Sequence, residues 1–196
     1  MNALDLSTPR RIHIVGIGGA GMSGIATVLA EQGHQVRGTD MAEGSVIARL
    51  RDAGIEAVVG HHSEHLAAGT DAVLVSTAVP DDHPEVVEAL GRGIPVLSRT
   101  ESLGPITSGR SVVAVAGTHG KTTTTSMLVL VLIAAGADPG YLLGAQVTSL
   151  GRAAAWGSGP LFALEADESD GSFLSARRAG CIVTNVEADH LEHHGS

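Results

Sequence analysis

Two glycine-rich turns, each between a short apolar run and a helical stretch, constrain this chain more than any other feature. The first loop, residues 16–21, follows the apolar run 12–15, and the second loop, residues 117–123, follows the apolar run 112–116. A strand, a glycine turn and a helix in that order point backbone N–H groups and a helix N-terminus at an anion. The sequence therefore predicts two phosphate-binding loops. Since only the second loop contains a lysine, Lys121, the pair suggests that one nucleotide is held as a handle while another is cleaved.

Charge and composition limit what the chain is expected to bind. Its 196 residues have a formal net charge of −9, from 12 Lys and Arg against 21 Asp and Glu, and contain no basic run. Aromatic residues make up 2% of the chain. Nucleic-acid binding is therefore not expected, because it needs clustered cations and stacking surfaces.

The sequence shows no sign of secretion or membrane insertion. The N-terminus lacks a basic region followed by an apolar core, and the longest apolar stretch, residues 127–137, is shorter than the roughly 20 residues that span a bilayer. The single cysteine, Cys181, cannot form an internal disulfide, and its apolar neighbours predict a buried strand position. We therefore expect a cytoplasmic protein that binds no membrane.

Short β-branched runs alternate with helical stretches, which is typical of parallel sheets wound with helices. In the first hundred residues the predicted strands are 12–15, 35–39, 55–59, 72–76 and 95–98, and the predicted helices are 20–32, 45–53 and 84–92. A turn-rich segment, residues 104–109, closes this α/β domain.

A second α/β domain follows, with predicted strands 112–116, 161–164 and 181–186 and a predicted helix 122–135. The last two strands lead into polar clusters, residues 165–170 and 185–190. In parallel sheets the carboxyl ends of the strands line the ligand crevice, so both clusters should face the same edge as the second loop. Because the sequence stops just past such a strand end, we expect it to be a fragment.

The first loop has the spacing Gly16-x-Gly18-x-x-Gly21, and Asp40 ends the next strand at close to the distance of about 20 residues seen in dinucleotide sites. The simplest interpretation of this pattern is an NAD site, with Asp40 on a ribose, and a site for a different diphosphate nucleotide is equally consistent with it. The alternative without a ligand is a tight glycine turn that only packs a helix against a strand.

The second loop departs from the standard P-loop, because Val115 stands where the first glycine is expected. Gly117, Gly120, Lys121 and Thr122 remain. The glycines let the backbone wrap phosphates, the lysine can reach the β and γ oxygens, and the threonine hydroxyl can bind Mg²⁺.

Carboxylates at strand ends are natural partners for a nucleotide-bound Mg²⁺. Glu165 is the best placed of them, whereas Asp167, Glu168 and Asp170 could form a solvated acidic turn. His190 could serve a second metal ion or be an ordinary loop residue. Two groups of histidines could suggest a zinc site. One is His190, His193 and His194, and the other is His61, His62 and His65, which we expect at the surface. We reject zinc for both groups because no complete tetrahedral ligand set accompanies either.

Four segments together resemble the Mur ligase family of ATP-dependent cell-wall ligases, in the family's order, and favour the members that join L-alanine to UDP-N-acetylmuramate. They are residues 13–26, 117–125, 165–173 and 184–190, with supporting matches at 76–79 and 84–85. The resemblance implies a Rossmann-like UDP-sugar-binding domain over 1–108, and the start of a central P-loop α/β ATPase domain over 109–196. Because the family's third, C-terminal domain would follow these two, the resemblance implies a fragment that binds UDP-sugar but is poorly active or inactive alone.

By this resemblance, ATP with Mg²⁺ activates the carboxylate of UDP-N-acetylmuramate as an acyl phosphate, which L-alanine then attacks. Lys121 would stabilise the transferring phosphoryl group, Thr122 and Glu165 would hold Mg²⁺, and His190 would serve a second Mg²⁺. The implied ATP contacts are Gly117, Thr118, His119, Gly120, Lys121, Thr122 and Thr123. The implied UDP-sugar contacts are Gly16, Gly18, Gly19, Ala20, Gly21, Met22, Asp40 and Ser76.

Three alternatives remain open at this stage. The ligase that re-attaches recycled murein tripeptide is a close relative, although its first loop usually lacks this glycine-rich string. An NAD(P)-dependent oxidoreductase would use the first loop only, and Lys121 argues against it. A non-catalytic nucleotide-sensing module would leave the polar clusters at the strand ends without a purpose.

Overall fold

The computed structural model describes residues 4–166 and 178–187. It divides into two compact units, Met1–Ile106 and Thr107–Ser196. Each unit is built on its own five-stranded sheet. None of the helices in the described ranges has the length and apolarity needed to cross a membrane.

The first unit contains sheet A, whose five parallel strands are ordered β3-β2-β1-β4-β5. Its strands are β1 (Arg11–Val15), β2 (Gln35–Asp40), β3 (Glu56–Val59), β4 (Ala72–Val75) and β5 (Val96–Ser98), and its helices are α1 (Ala20–Glu31), α2 (Ser45–Asp52), α3 (Pro84–Gly91) and α4 (Arg99–Ile106). The central strands β1 and β4 have buried residues on both faces, as is typical of parallel strands covered by helices. This strand order, which is that of the Rossmann fold, confirms the predicted fold class and leaves a crevice between the carboxyl ends of β1 and β4.

Helix α4 was not predicted, because Gly104 and Pro105 read as a turn. They instead form the last turn of α4, where Leu103 and Ile106 are buried. The side-chain amide of Gln32 donates to the Ile106 carbonyl at 2.8 Å, so this helix end is satisfied by a distant residue. Tertiary contacts therefore outweigh the local turn signal.

The second unit contains sheet B, ordered β10-β6-β9-β7-β8. Its elements are β6 (Ser111–Ala116), α5 (Lys121–Ala134), β7 (Gly140–Leu142), β8 (Ala154–Ala155), β9 (Leu161–Glu165) and β10 (Arg178–Val183). β6 is central, with β10 on one side and β9 on the other. The ends of both neighbours therefore flank the second loop, which follows β6 directly.

Three expectations for this unit are corrected. Strands β7 and β8 were missed, because runs of three and two residues are too short to show alternation. The predicted strand 181–186 ends at Val183, so residues 184–187 form a loop. Cys181 is exposed rather than buried, because β10 pairs only with β6 among the described strands.

Candidate functional site

The first loop starts where β1 ends, at the crevice of sheet A. The N–H groups of Gly16 and Ile17 donate to the carbonyl of Thr39 at 2.8 and 3.0 Å, and Gly16 has a φ of 75°. A Cβ at Gly16 would lie 3.2 Å from the Cβ of Ser76, which directly follows β4. The fold thus brings Gly16 and Ser76, both predicted site residues, to the same crevice.

Asp40 ends β2 and braces the middle of the first loop. Its Oδ2 accepts a hydrogen bond from the N–H of Gly18 at 2.8 Å. A Cβ at Gly18 would lie 2.8 Å from the same oxygen, so only glycine leaves room for this approach. The contact of Asp40 with a ribose or uridine stays a prediction.

The N-terminus of α1 completes the first loop. Its N-cap, Gly19, has no side chain to bond the first-turn N–H groups, and Ala20, Gly21 and Met22 form that turn. The N–H groups of a helix's first turn have no intrahelical acceptor, which suits them to an anion. Because the Met22 side chain is 2% exposed, its contribution to such a site would come from the backbone.

Sequence reasoning missed Arg99, the first residue of α4. A Cβ at Gly21 would lie 2.7 Å from the Nε and 2.8 Å from the Cζ of Arg99, so the guanidinium group lies directly against the glycine at the start of α1. A cationic residue immediately after β5 could have signalled this, since β5 ends at the same edge of the sheet. The first loop therefore has a cation, although its own sequence contains none.

A buried polar network lies next to Thr39. Glu85 is fully buried and accepts hydrogen bonds from the hydroxyl of Thr39 at 2.8 and 3.0 Å. The Nε2 of His13 lies 2.5 Å from Glu85 Oε2, and the Nδ1 of His61 lies 3.3 Å from Oε1. His61 was expected at the surface, but its side chain is only 19% exposed because this carboxylate, remote in sequence, binds it.

Burial, the largest single influence, raises the pKa of Glu85. The hydrogen bonds from His13 and Thr39 and the charge of His13 outweigh it, so the pKa falls below the ordinary value of a glutamate. Burial lowers the pKa of His83, and neighbouring His61 lowers it further. Both shifts favour an ionised Glu85 beside a neutral His83.

Among the described residues, His61, His83 and Glu85 form one group of metal-ligand type, with a ligand atom of each within 4.8 Å of the others. The carboxylate of Glu85 and the Nδ1 atoms of both histidines already have partners, whereas the buried Nε2 of His83 has none among the described residues. The Nδ1 of His83 accepts the N–H of Glu85 at 3.3 Å, and both Glu85 oxygens accept the Thr39 hydroxyl. The group therefore forms a hydrogen-bond network next to β1 and β2, behind the first loop, in which one buried nitrogen, His83 Nε2, is unsatisfied among the described residues.

The second loop leads from β6 into α5. Gly117 has a φ of 131° and Gly120 a φ of 79°, conformations that favour glycine. Gly120 is the N-cap of α5 and has no side chain to bond the N–H groups of the first turn. Thr123, in that turn, is exposed, and the side chain of His119 is 69% exposed. The loop therefore presents backbone N–H groups at a helix N-terminus, as predicted.

Lys121, the first residue of α5, is the only lysine in the chain. Its Nζ donates to the carbonyl oxygens of Gly117 at 2.8 Å and Thr118 at 3.2 Å. The ammonium group thus lies over the loop whose N–H groups would hold a phosphate, where a single positive charge can stabilise phosphate oxygens.

Thr122 and Glu165, which the resemblance implies as ligands of one Mg²⁺, meet across the end of sheet B. The Thr122 hydroxyl donates to Glu165 Oε1 at 2.7 Å, and Oε2 accepts the N–H of Gly144 at 2.8 Å. A Cβ at Gly144 would lie 2.9 Å from Oε1, so this glycine, which sequence reasoning missed, permits the carboxylate to sit there. A hydroxyl and a carboxylate side by side form the hard oxygen donor set that Mg²⁺ prefers, so the residues fit the ion.

His190 lies outside the described residues, as do Asp167, Glu168, Asp170, His193 and His194. The predicted second metal site at His190 therefore stays a prediction.

Two glycine loops, one at the end of a strand of the parallel sheet A and one in the mixed sheet B, where β7 and β8 pair antiparallel, are typical of a nucleotide-binding α/β protein, and the comparisons specify the family. The family model described as "Mur ligase family, catalytic domain" matches residues 11–111, just over half of the chain. The chain belongs to the Mur ligase family, which confirms the resemblance.

Curated relatives and solved structures agree with this assignment. The chain is 50% identical over 186 residues to the UDP-N-acetylmuramate–L-alanine ligase of Nocardioides sp. (strain ATCC BAA-499 / JS614), matching 95% of this chain and 42% of that protein. It is 48% identical over 185 residues to the same ligase of Thermobifida fusca (strain YX), matching 94% of this chain and 39% of that protein. The chain thus spans about two fifths of the length of these relatives.

Among crystal structures, the UDP-N-acetylmuramate–alanine ligase of Thermotoga maritima matches with a TM-score of 0.84 at 35% identity, over 95% of this chain and 44% of that one. The UDP-N-acetylmuramate:L-alanyl-γ-D-glutamyl-meso-diaminopimelate ligase from Neisseria meningitides matches with a TM-score of 0.85 at 32% identity, over 93% of this chain and 62% of that one. These matches support the fold of both units.

Proposed function

We propose that this chain is the UDP-N-acetylmuramate-binding and ATP-binding part of an enzyme that joins L-alanine to the muramoyl carboxylate. The observation that carries the proposal is the Thr122–Glu165 pair beside Lys121 at the start of α5. A dehydrogenase would have no use for such a site. The curated relatives named above are ligases of this kind, which supports the choice of substrates.

The first unit is proposed to hold the UDP part of the substrate. The first-turn N–H groups of α1 would bind the diphosphate, and the guanidinium group of Arg99, lying against Gly21, would neutralise it. Asp40 and Ser76 would flank the nucleoside and the diphosphate at the crevice of sheet A. No group of this unit needs to take part in bond making, so it acts as the handle.

The second unit is proposed to hold ATP. The N–H groups at Gly120 and in the first turn of α5 would bind the phosphates, and Lys121 would turn from the loop carbonyls to the γ-phosphate oxygens. Thr122 and Glu165 would hold Mg²⁺, which when bound neutralises charge on the phosphates.

The chemistry divides into two displacements. The muramoyl carboxylate oxygen attacks the γ-phosphorus, ADP leaves, and an acyl phosphate forms. The amine of L-alanine then attacks the acyl carbon to give a tetrahedral intermediate, which loses a proton from nitrogen and expels inorganic phosphate to leave an amide. In the first step Lys121 stabilises the charge that develops on the transferred group, and the loop backbone keeps that group in line.

The recycling ligase is the second candidate, because the Neisseria structure has the same fold over both units. This chain is 32% identical to the Neisseria protein and 48–50% identical to the two curated L-alanine ligases, which favours the L-alanine enzyme. Since ATP and UDP-N-acetylmuramate, two of the three proposed substrates, are phosphorylated metabolites of the cell interior, we also propose a cytoplasmic location.

A thermal-shift comparison of this chain with UDP-N-acetylmuramate, UDP, NAD⁺ and Mg·ATP tests the proposal. A ligand that binds only the folded state raises the melting temperature by mass action. We expect stabilisation by both UDP ligands and by Mg·ATP, and none by NAD⁺. Stabilisation by NAD⁺ without any effect of the UDP ligands would contradict the assignment of the first loop.

A further inference from the structure

The segment that follows β10, residues 184–187, packs against the backbone of the second loop. The Thr184 hydroxyl donates to the carbonyl of His119 at 2.6 Å, and the N–H of Thr118 donates to the carbonyl of Asn185 at 3.3 Å. The N–H of Glu187 in turn donates to the Thr118 hydroxyl at 3.1 Å. We call residues 184–187 the brace segment, because it fixes two consecutive residues of the loop.

Asn185 makes the most specific of these contacts. Its Oδ1 accepts the N–H of His119 at 2.9 Å, and its Nδ2 donates to the carbonyl of the same residue at 3.1 Å. One amide therefore satisfies both backbone groups of His119, and its orientation is dictated because that N–H needs an acceptor and that carbonyl needs a donor. A pair of this kind fixes both peptide planes that flank His119.

The brace segment also explains a glycine of the loop. A Cβ at Gly117 would meet the Thr184 hydroxyl and would lie 2.8 Å from the carbonyl oxygen of Asn185. The backbone of the loop and the brace segment are thus in direct contact, with no space for a side chain between them. The imidazole of His119 is 69% exposed, so this residue is held through its main chain.

The position of His119 makes this fixation useful. It immediately precedes Gly120, the N-cap of α5, whose φ of 79° sets the direction of the N–H groups that follow. Freedom in the His119 peptides would spread these N–H groups over several directions, and binding a phosphate would then require ordering them. A fixed peptide removes that cost before the ligand arrives.

We propose that Asn185 is a positioning residue, which holds the second loop in its phosphate-binding conformation through the His119 backbone. The inference rests on the proposed binding of ATP at this loop. Asn185 acts through His119, and its effect on ATP follows from the order of the loop.

The first experiment needs no ligand. In Asn185→Ala we expect the amide of His119 to exchange with solvent about tenfold faster, as loss of a hydrogen bond worth about 1.4 kcal/mol implies. The amides of α5 beyond its first turn should keep their exchange rates. The matched control is Val186→Ala, since Val186 is 85% exposed and neighbours Asn185. Unchanged exchange at His119 in Asn185→Ala would overturn the proposal, whatever the ligand of the loop.

The second experiment measures kinetics in a full-length ligase carrying this sequence. We expect Asn185→Ala to raise the KM for ATP about tenfold and to leave the KM for UDP-N-acetylmuramate within about twofold. If Asn185 only stabilised the fold, Asn185→Ala would lower the melting temperature and weaken the binding of both ATP and UDP-N-acetylmuramate. Asn185→Asp should be intermediate, because it keeps the acceptor for the His119 N–H and loses the donor to its carbonyl.

Lys121→Ala, measured in the same series, separates the two hypotheses. If Lys121→Ala leaves ATP-dependent turnover unchanged, the proposed function is wrong. If Lys121→Ala abolishes turnover while Asn185→Ala keeps the wild-type KM for ATP, the second loop binds ATP and the inference about Asn185 is overturned.

Discussion

The two glycine loops share one architecture but obtain their positive charge and their support in different ways. The first loop has no cation of its own and receives Arg99 from the start of α4, while Asp40 braces it from the neighbouring strand. The second loop contains Lys121, and the brace segment holds its backbone. A guanidinium group is a rigid, planar partner for a diphosphate that stays in place, whereas a lysine on a flexible stem can follow a phosphoryl group as it moves. This difference agrees with the proposal that the first loop holds the UDP part of the substrate and that the second loop is the site of phosphoryl transfer.

Removing the lysine tests this comparison with the largest expected effect. In a full-length ligase carrying this sequence, Lys121→Ala should lower turnover by about a thousandfold, as loss of an important charge in phosphoryl transfer does. Affinity for UDP-N-acetylmuramate should stay the same, because the first loop is untouched. Steady-state kinetics and calorimetric titration measure the two quantities. Lys121→Arg, which keeps the positive charge, is the control. If Lys121→Ala lowered turnover and the affinity for UDP-N-acetylmuramate by the same factor, the division of roles between the two loops would be contradicted.

Removing the arginine tests the other half of the comparison. Arg99→Ala should weaken binding of UDP-N-acetylmuramate to this chain by about 10- to 100-fold, since a charge-assisted contact is worth roughly 1.5–3 kcal/mol. The matched control is Arg49→Ala, an exposed arginine on α2. Isothermal titration calorimetry measures both variants. If the two bind UDP-N-acetylmuramate with equal affinity, Arg99 is not the cation of the first loop.

Filling the space at Gly144 sharpens the assignment of the metal ligands. Gly144→Ala should push the Glu165 carboxylate away from Thr122 and weaken Mg·ATP binding by about tenfold, with little effect on UDP-N-acetylmuramate. Gly180→Ala is the control, because a Cβ at Gly180 would meet nothing within 4 Å. Titration with Mn²⁺ in place of Mg²⁺, followed by water proton relaxation, reports the metal directly. Unchanged metal affinity in Gly144→Ala would argue against Glu165 as a ligand.

Acid should affect the first unit before the second. Burial lowers the pKa of His34 and of His83, so each contributes stability above pH about 6.5 that is lost as the pH falls through its folded-state pKa. Glu85, whose pKa is also lowered, adds a further loss below pH about 4.5. Hydrogen exchange of β1 and β6 amides between pH 7 and 5, corrected for the intrinsic rate, should show loss of protection in β1 only.

The same network gives a substitution test with a modest effect on stability. Glu85→Gln should destabilise the first unit by about 1–3 kcal/mol, because buried His13 and Thr39 lose a charged partner. Glu88→Gln on the same helix is the control, since the Glu88 side chain is partly exposed and pairs with Arg92 one turn later. Chemical denaturation followed in β1 distinguishes the two. Equal midpoints would mean that Glu85 does not support this part of sheet A.

Most of the fold could be predicted from the sequence, and the misses have physical causes. Strands such as β1 and β6 are short runs rich in valine and isoleucine, and helices α1 and α5 follow N-cap glycines, so local pattern identifies both. α4 was missed because its packing outweighs the turn signal of Gly104 and Pro105. Cys181 was predicted to be buried because an apolar run does not show how many strands pair with it. Among the described strands β10 pairs only with β6, and Cys181 is exposed.

The sequence by itself determined the two glycine loops, the single lysine and the carboxylate at the end of β9, because these depend on residue type and on local spacing. Tertiary structure alone decided which remote residues support them. Arg99 contacts Gly21, Asn185 contacts His119 and His61 contacts Glu85. In each case the order of the strands brings segments that are distant in sequence together in space. Strand order follows from the packing of whole faces, which no local window of sequence contains.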